Sequence, residues 1–376
     1  MPTATPADVS LGGRPVWVVG VPYEGGSVWF VTLDDGDVRA FAATPEGVRP
    51  YPWNRRQFRA LAPPVVTVAP GREPTLLRPL NIAESPLSHP VPVADTGNAY
   101  AYIRQNGSLS IFLAGVEGVP FAVNAPPDAR IATDGTGRLL LLGGATDRYP
   151  HGALGDDIEA STLILVTYAN GGRVVRTISV PEPAVIEGIM PIWTDADGDG
   201  EREILVTVSD ATRGARLVLY GEDGAVRATG PETGGGNRWR HQIAVAPFGP
   251  GGEREIADVL TPHIGGVAEW FRVEGDTLRC VASLPGYSSH AFGSRNLDMA
   301  CAADADGDGR VELVVPTQDR TAFGGLRREG DGAFAAWMAP LGGVLATNLA
   351  AVSLPNGTLA FAAGRDDGTL RFWLPA

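Results

Sequence analysis

The chain reads as all-β, assembled from repeated four-stranded antiparallel units, and three observations predict this. A nine-residue acidic loop, Asp195-Ala-Asp197-Gly-Asp199-Gly-Glu-Arg-Glu203, has a near-copy in Asp304-Ala-Asp306-Gly-Asp308-Gly-Arg-Val-Glu312, and an apolar run of strand length follows each. Loop-ending glycines recur at 13, 71, 137, 200, 252, 309 and 357, with spacings of 58, 66, 63, 52, 57 and 48 residues, the length of four short strands with their turns. A second marker, an acidic or amide residue before glycine, recurs between alternating apolar runs, which is the strongest short-range hairpin signal. With 49 glycines and 31 prolines in 376 residues, and no sustained helical period, short strands joined by tight turns account for the composition.

The acidic loops carry the chemistry most legible in the sequence. Carboxylates at positions 1, 3, 5 and 9, with glycine at 4 and 6, let a short loop fold hard oxygen ligands around one cation while the glycines take tight backbone angles. An EF-hand opens similarly, but its closing glutamate comes at position 12 and it lies between helices. Here the acid comes at position 9 and strands flank the loop. The order apolar strand, D-x-D-G-D-G-x-x-E, apolar strand resembles the FG-GAP/VCBS repeat, the blade unit of integrin-like calcium-binding β-propellers. That resemblance implies a single β-propeller over residues 1–376, with seven four-stranded blades and six or eight as the alternatives. It also implies two structural calcium ions and work outside the cytoplasm, as a secreted, periplasmic or cell-surface protein whose leader has been removed. Asp195, Asp197, Asp199 and Glu203 would hold one ion and Asp304, Asp306, Asp308 and Glu312 the other. The carbonyls of Glu201 and Arg310 would supply the ligand at position 7.

Taken in order, Gly13 opens the first repeat, and the turn Asp35-Gly36 joins residues 28–33 to 38–42 as its outer hairpin. Asn106-Gly107, Asn170-Gly171, Asp223-Gly224, Glu274-Gly275 and Glu329-Gly330 close the outer hairpins of later repeats. Asp134-Gly-Thr-Gly137, Pro247 through Glu255 and Pro355-Asn-Gly357 are decayed copies of the acidic loop, too poor in aspartate to hold calcium. Long insertions at residues 80–98 and 145–160 interrupt the second and third repeats between their middle strands. The last repeat is one strand short, and the residues before Arg14 are expected to supply it, tying both ends of the chain into one sheet and removing an open edge.

Composition excludes some functions. The net charge is −13 and every basic residue is arginine, so the clustered positive charge that drives general nucleic-acid or anionic-membrane binding is missing. No apolar run reaches 18 residues, which leaves no transmembrane helix in this sequence. Cys280 and Cys301 fall on an outer strand and on the next inner strand, too far apart for a disulfide, and read as buried free thiols.

In a four-stranded meander, the turns joining strands 1 to 2 and 3 to 4 leave at one end, and the other connections leave at the opposite end. The acidic loops belong to the first kind. His89, His151, His241, His263 and His290 all fall in connections of the second kind. There Trp239, Arg240, His241, His263, His290, Arg295 and Asn296 are expected to line one ligand site. Arginine forks would hold a carboxylate, sulfate or phosphate, and Trp239 or Tyr287 would stack on a sugar. The first reading is therefore a binding protein for a carbohydrate or other anionic ligand. An enzyme acting on an acidic polysaccharide, a lyase or hydrolase with His241, His263 or His290 as general base, is the alternative, and a structural or protein-interaction propeller is the third. A transition metal held by converging histidines is a further option, although no H-x-H or H-x-x-x-H spacing supports it. The sequence leaves open whether the protein is an enzyme.

Overall fold

The computed structural model describes residue 1 and residues 4–53, 61–68, 72–93, 99–168 and 172–375. The described residues contain no helix; the fold is all-β, of the β-propeller class, and its repeating element is the up-and-down four-stranded antiparallel sheet. The chain divides into two compact units, one of Met1–Arg78, Gly286–His290 and Asn296–Ala376, the other of Pro79–Pro285 and Ala291–Arg295.

Strand β1 (Pro6–Ser10) is followed by the first sheet, β2 (Pro15–Tyr23), β3 (Gly26–Leu33), β4 (Val38–Thr44) and β5 (Gly47–Pro50), and then by a two-stranded ladder, β6 (Val66–Thr67) with β7 (Thr75–Leu76). The second unit opens with β8 (Val91–Pro92), β9 (Ala99–Ile103), β10 (Leu109–Leu113) and β11 (Val116–Glu117). The next sheet holds β12 (Ile131–Thr133), β13 (Arg138–Gly143), β14 (Thr162–Thr167) and β15 (Arg173–Ser179). A nine-stranded sheet completes this unit. It joins β16 (Val185–Ile186), β17 (Ile192–Thr194), β18 (Glu203–Asp210), β19 (Gly214–Gly221) and β20 (Val226–Thr229) to β21 (Arg240–Ala246), β22 (Glu255–Leu260), β23 (Val267–Glu274) and β24 (Thr277–Pro285). The link is one parallel pairing, Thr229 with Thr277, so the sheet is two meanders joined at their last strands, and in the first of them β16 and β17 are two short pieces that both pair with β18. Back in the first unit, β25 (Cys301–Ala303), β26 (Glu312–Pro316), β27 (Ala322–Glu329) and β28 (Gly332–Pro340) form one sheet, and β29 (Ala350–Ser353), β30 (Leu359–Gly364) and β31 (Thr369–Trp373) begin another.

That last sheet is completed by β1, which pairs antiparallel with β31 from Pro6–Trp373 to Ser10–Thr369, as the missing fourth strand requires. Asp8 reinforces the closure by accepting from Arg371 Nε at 2.6 Å and Arg365 Nη1 at 3.2 Å. Burial follows strand position. The second strands β3 and β18 and the third strand β19 are buried at every residue, whereas the fourth strand β15 is exposed at nearly every one. Middle strands are covered on both faces, and they read as continuous apolar runs instead of alternating ones. Within the larger unit one apolar core runs from Val91 to Tyr220 and includes Leu139 through Leu142, all fully buried.

Two expected positions shift. The Asp35-Gly36 and Asn106-Gly107 turns join second to third strands, not third to fourth. In the first sheet this is because β2 is the first strand and the short, half-exposed β5 the fourth, which leaves Gly13 in the connection from β1 to β2. The 80–98 segment also differs: it runs into the first strand β8 and so does not separate middle strands, while residues 145–160 do separate β13 from β14 as expected. Gly71 and Asn170-Gly171 lie outside the described residues, as does part of the 80–98 segment. Both cysteines are free, and Cys280 is exposed where a buried thiol was expected, because it sits on an outward position of β24, the last strand of its meander.

Candidate functional site

Each acidic loop is a turn between a first and a second strand. In the 195–203 loop, the Gly198 amide donates to Asp195 Oδ1 at 2.6 Å, the Asp199 amide to Asp197 Oδ1 at 3.1 Å, and the Glu201 amide to Asp199 Oδ1 at 2.8 Å. Gly198 and Gly200 adopt φ of 88° and 93°, angles that side chains resist. The 304–312 loop repeats the pattern: Gly307 donates to Asp304, Asp308 to Asp306 and Arg310 to Asp308, at 2.8, 3.2 and 3.0 Å. Each closing glutamate is the first residue of its second strand and is buried. Glu203 accepts from the Ala196 amide at 2.8 Å and Glu312 from the Ala305 amide at 2.9 Å. Ligand oxygens of Asp304, Asp306, Asp308 and Glu312 lie within 4.8 Å of one another, as do those of Asp195, Asp197 and Glu203. Burial, and after it the neighbouring aspartates, raises the Glu203 carboxyl above its ordinary range; burial does the same to Glu312. In the 195–203 loop the converging donors are hard oxygens of like charge, a set that fits a cation of the calcium type, whereas in the 304–312 loop the Arg327 guanidinium also lies among them, bonded to Asp306 and Glu312.

The opposite end of the larger unit differs from the expected anion well. Arg240 begins β21, but its guanidinium points into its own sheet, where Nη1 donates to Asp258 Oδ2 at 2.9 Å and Glu269 Oε2 at 2.6 Å. Arg240 is 4% exposed and Asp258 fully buried. Burial raises the Asp258 carboxyl; Arg240 pulls it down and Glu269 pushes it up. Arg295 likewise serves Asp128 at 3.1 Å and Asp156 at 2.5 Å. Both arginines are engaged by the protein's own carboxylates, and neither offers a free fork to a ligand.

The aromatic residues form a different array. Trp239 is buried, its Nε1 donating to the Glu187 carbonyl at 3.2 Å. Its ring stacks with His241 at 5.2 Å and His263 at 5.8 Å, and His263 meets Phe292 edge-on at 5.3 Å. Trp239 is therefore unable to act as a sugar platform. Phe292 is 67% exposed, and Ile264, next to His263, is 83% exposed. The expected seven-residue site also divides. Trp239, Arg240, His241, His263 and Arg295 belong to the larger unit, and His290 and Asn296 to the other. His290 is buried at the approach to β25, and Asn296 Oδ1 accepts from the Asp298 amide at 3.0 Å. A histidine metal centre is not assembled either: among the described residues, the groups close enough to share one ion are the two carboxylate loops.

One constellation escaped the sequence reading. His151, in the 145–160 insertion, hydrogen bonds through Nδ1 to Glu187 Oε1, while Ser209 Oγ donates to Glu187 Oε2. Glu187 is fully buried; Glu159, also buried, has its carboxyl raised well above the usual range by burial and then by the charges of Glu187 and Asp128. These acids lie 28 or more residues apart in sequence with no motif joining them, so only folding reveals the cluster.

The geometry thus defines an all-β chain of four-stranded blades with two acidic turns and an end whose arginines are internally paired. No family model matches the chain, and no curated protein matches it. Among solved structures it is similar to BamB from Moraxella catarrhalis, with 12% identity, all of both chains covered and a TM-score of 0.49. It is also similar to a chain of the mitotic checkpoint complex, with 11% identity, 100% of this chain and 95% of that one covered and a TM-score of 0.45. A third is BBS1N in complex with ARL6DN, with 11% identity, 97% of each chain covered and a TM-score of 0.48. No helix among the described residues is long and apolar enough to cross a membrane.

Proposed function

We propose that this protein is a calcium-stabilised β-propeller that works by binding a protein partner, through the loops around His263, Ile264 and Phe292. The observation that carries this is the division of labour at that end: Arg240 and Arg295 are engaged by internal carboxylates, while Ile264 and Phe292 stand exposed. An exposed aromatic and an exposed aliphatic, one in ring contact with His263 and the other next to it in the chain, suit an apolar anchor from a protein surface better than a sulfate or uronate, and such anchors carry a large share of interface energy. The anionic-ligand reading loses its arginines and the carbohydrate reading its tryptophan.

Calcium would be held by Asp195, Asp197, Asp199 and Glu203, and by Asp304, Asp306, Asp308 and Glu312, where it would neutralise crowded carboxylates and pin a turn. An extracytoplasmic setting accords with an oxygen-ligand ion of this kind. The test is affinity capture of partners by the full chain beside an Ile264→Asp/Phe292→Ser variant, with acidic polysaccharides and a glycan panel tested in parallel. A protein retained by the original chain, bound at least tenfold more weakly by the variant at unchanged melting temperature, is the expected result. Saturable polysaccharide binding that the variant keeps would overturn it.

The His151–Glu187 pair favours a second reading, catalysis. A buried carboxylate fixes the imidazole orientation, as a general base requires. In this reading His151, in place of His241, His263 or His290, is the base of a polysaccharide-cleaving enzyme. Cleavage of uronate-containing polymers that His151→Ala abolishes, with the fold retained, would establish it.

A further inference from the structure

In each sheet that begins with a loop of this type, the buried closing glutamate lies opposite one position on the third strand, and what stands there differs. Opposite Glu203 the register places Gly221. In the sheet of β25–β28, Leu313 pairs with Leu326, and the next residue out is Arg327 against Glu312. In the intervening sheet, Ile256 pairs with Phe271, and the next is Arg272 against Glu255. Arg272 bonds Glu255 at 2.5 Å in a loop that has lost its aspartates. Arg327 does more. It reaches Glu312 Oε1 at 2.5 Å, Asp306 Oδ2 at 2.6 Å and Asp308 Oδ2 at 2.8 Å, so that its guanidinium lies among the carboxylates that would ligate an ion.

Resting on the calcium reading above, we propose that the two acidic loops are not equivalent: Arg327 is a built-in cation for the 304–312 loop, and the 195–203 loop is the one that depends on a bound divalent ion. The physical reason is charge compensation. A buried carboxylate needs a cation or a proton, and Glu255 and Glu312 each have an arginine for it. Among the described residues no arginine pairs with Glu203. Arg254 touches Asp195 Oδ2 from outside at 3.3 Å, and the Arg227 guanidinium, lying over Gly221, is held by Asp223 at 2.9 Å. Glu203 is left facing Asp195 and Asp197 with an uncompensated charge, and an arginine at position 221 would be the sequence change that replaces the ion. Calcium entering the 304–312 loop must first break the pairs of Arg327 with Glu312, Asp306 and Asp308, and that cost lowers its affinity.

Calorimetric titration of the calcium-stripped full chain with CaCl2 tests this, with four proteins compared: wild type, Asp195→Asn/Asp197→Asn, Asp304→Asn/Asp306→Asn and Arg327→Gln. Wild type is expected to show one tight site, lost in the first double variant and kept within about threefold in the second. Arg327→Gln should gain a second tight site, its dissociation constant lowered roughly tenfold or more, and a melting temperature that newly depends on calcium at that loop. Two wild-type sites of equal affinity, or a tight site lost with Asp304 and Asp306, would refute the inequivalence and leave calcium binding standing. No calcium uptake by any of the four would remove the calcium reading with it. Should Arg327→Gln fail to fold, the two loop variants still rank the sites, since their altered side chains lie in partly or fully exposed turns.

Discussion

Replacing Arg240 by alanine separates a structural arginine from a ligand-binding one. The guanidinium is the only cation bonded to Asp258 and Glu269 among the described residues, and Asp258 is fully buried. Removing it leaves that carboxylate without a counter-charge, a change that typically costs about 3–5 kcal/mol. For a cooperative unit of 150–250 residues each kcal/mol shifts melting by roughly 2–4 °C, so a fall on the order of 10 °C is expected at neutral pH. The pH dependence gives a second signature. Asp258 already has a folded-state pKa raised above its unfolded value, and losing Arg240 raises it further. The folded state then holds a proton that the unfolded state releases, so the deficit is present above the unfolded carboxylate range, near pH 4, and shrinks as pH falls toward it. Calorimetric melts of wild type and Arg240→Ala at about pH 4.5 and pH 7.5 measure both effects. Superimposable melts at both pH values, together with loss of ligand binding, would refute the ion-pair account and restore the anion site.

Glu159→Gln should stabilise the protein at neutral pH, because burial and the charges of Glu187 and Asp128 hold this carboxyl well above its usual range; the gain should vanish as pH falls through the unfolded value, as denaturant titration at several pH values would show. Deleting residues 1–10 should bare the edge of β31 and remove the Asp8 pairs with Arg365 and Arg371; lower melting and concentration-dependent association by light scattering are expected, while Asp8→Ala alone should produce only a small melting shift, since those pairs are partly exposed.

Turn chemistry and strand patterning were legible in the sequence because they are local. Gly198, Gly200, Gly307 and Gly309 take the positive φ that their places in the acidic motif imply, and Asp223-Gly224, Glu274-Gly275 and Glu329-Gly330 close hairpins because two adjacent residues suffice to specify a tight turn; which strands the turn joins they do not specify, as Asp35-Gly36 and Asn106-Gly107 show. The missing strand of the last sheet could be anticipated by counting, since a solitary edge at β31 needs a partner and only the first residues were left to supply it. Charge partnership was decided by tertiary structure. Arg240 and Arg295 look alike in sequence to arginines that bind anions. Their partners, Asp258 and Glu269 for one, Asp128 and Asp156 for the other, are brought to them across strands and loops up to 167 residues away. The two acidic loops are nearly identical as strings, yet one faces Gly221 and the other Arg327. The third strand brings a different residue to the same position opposite each closing glutamate, where electrostatics acts over a few ångströms of space regardless of separation along the chain.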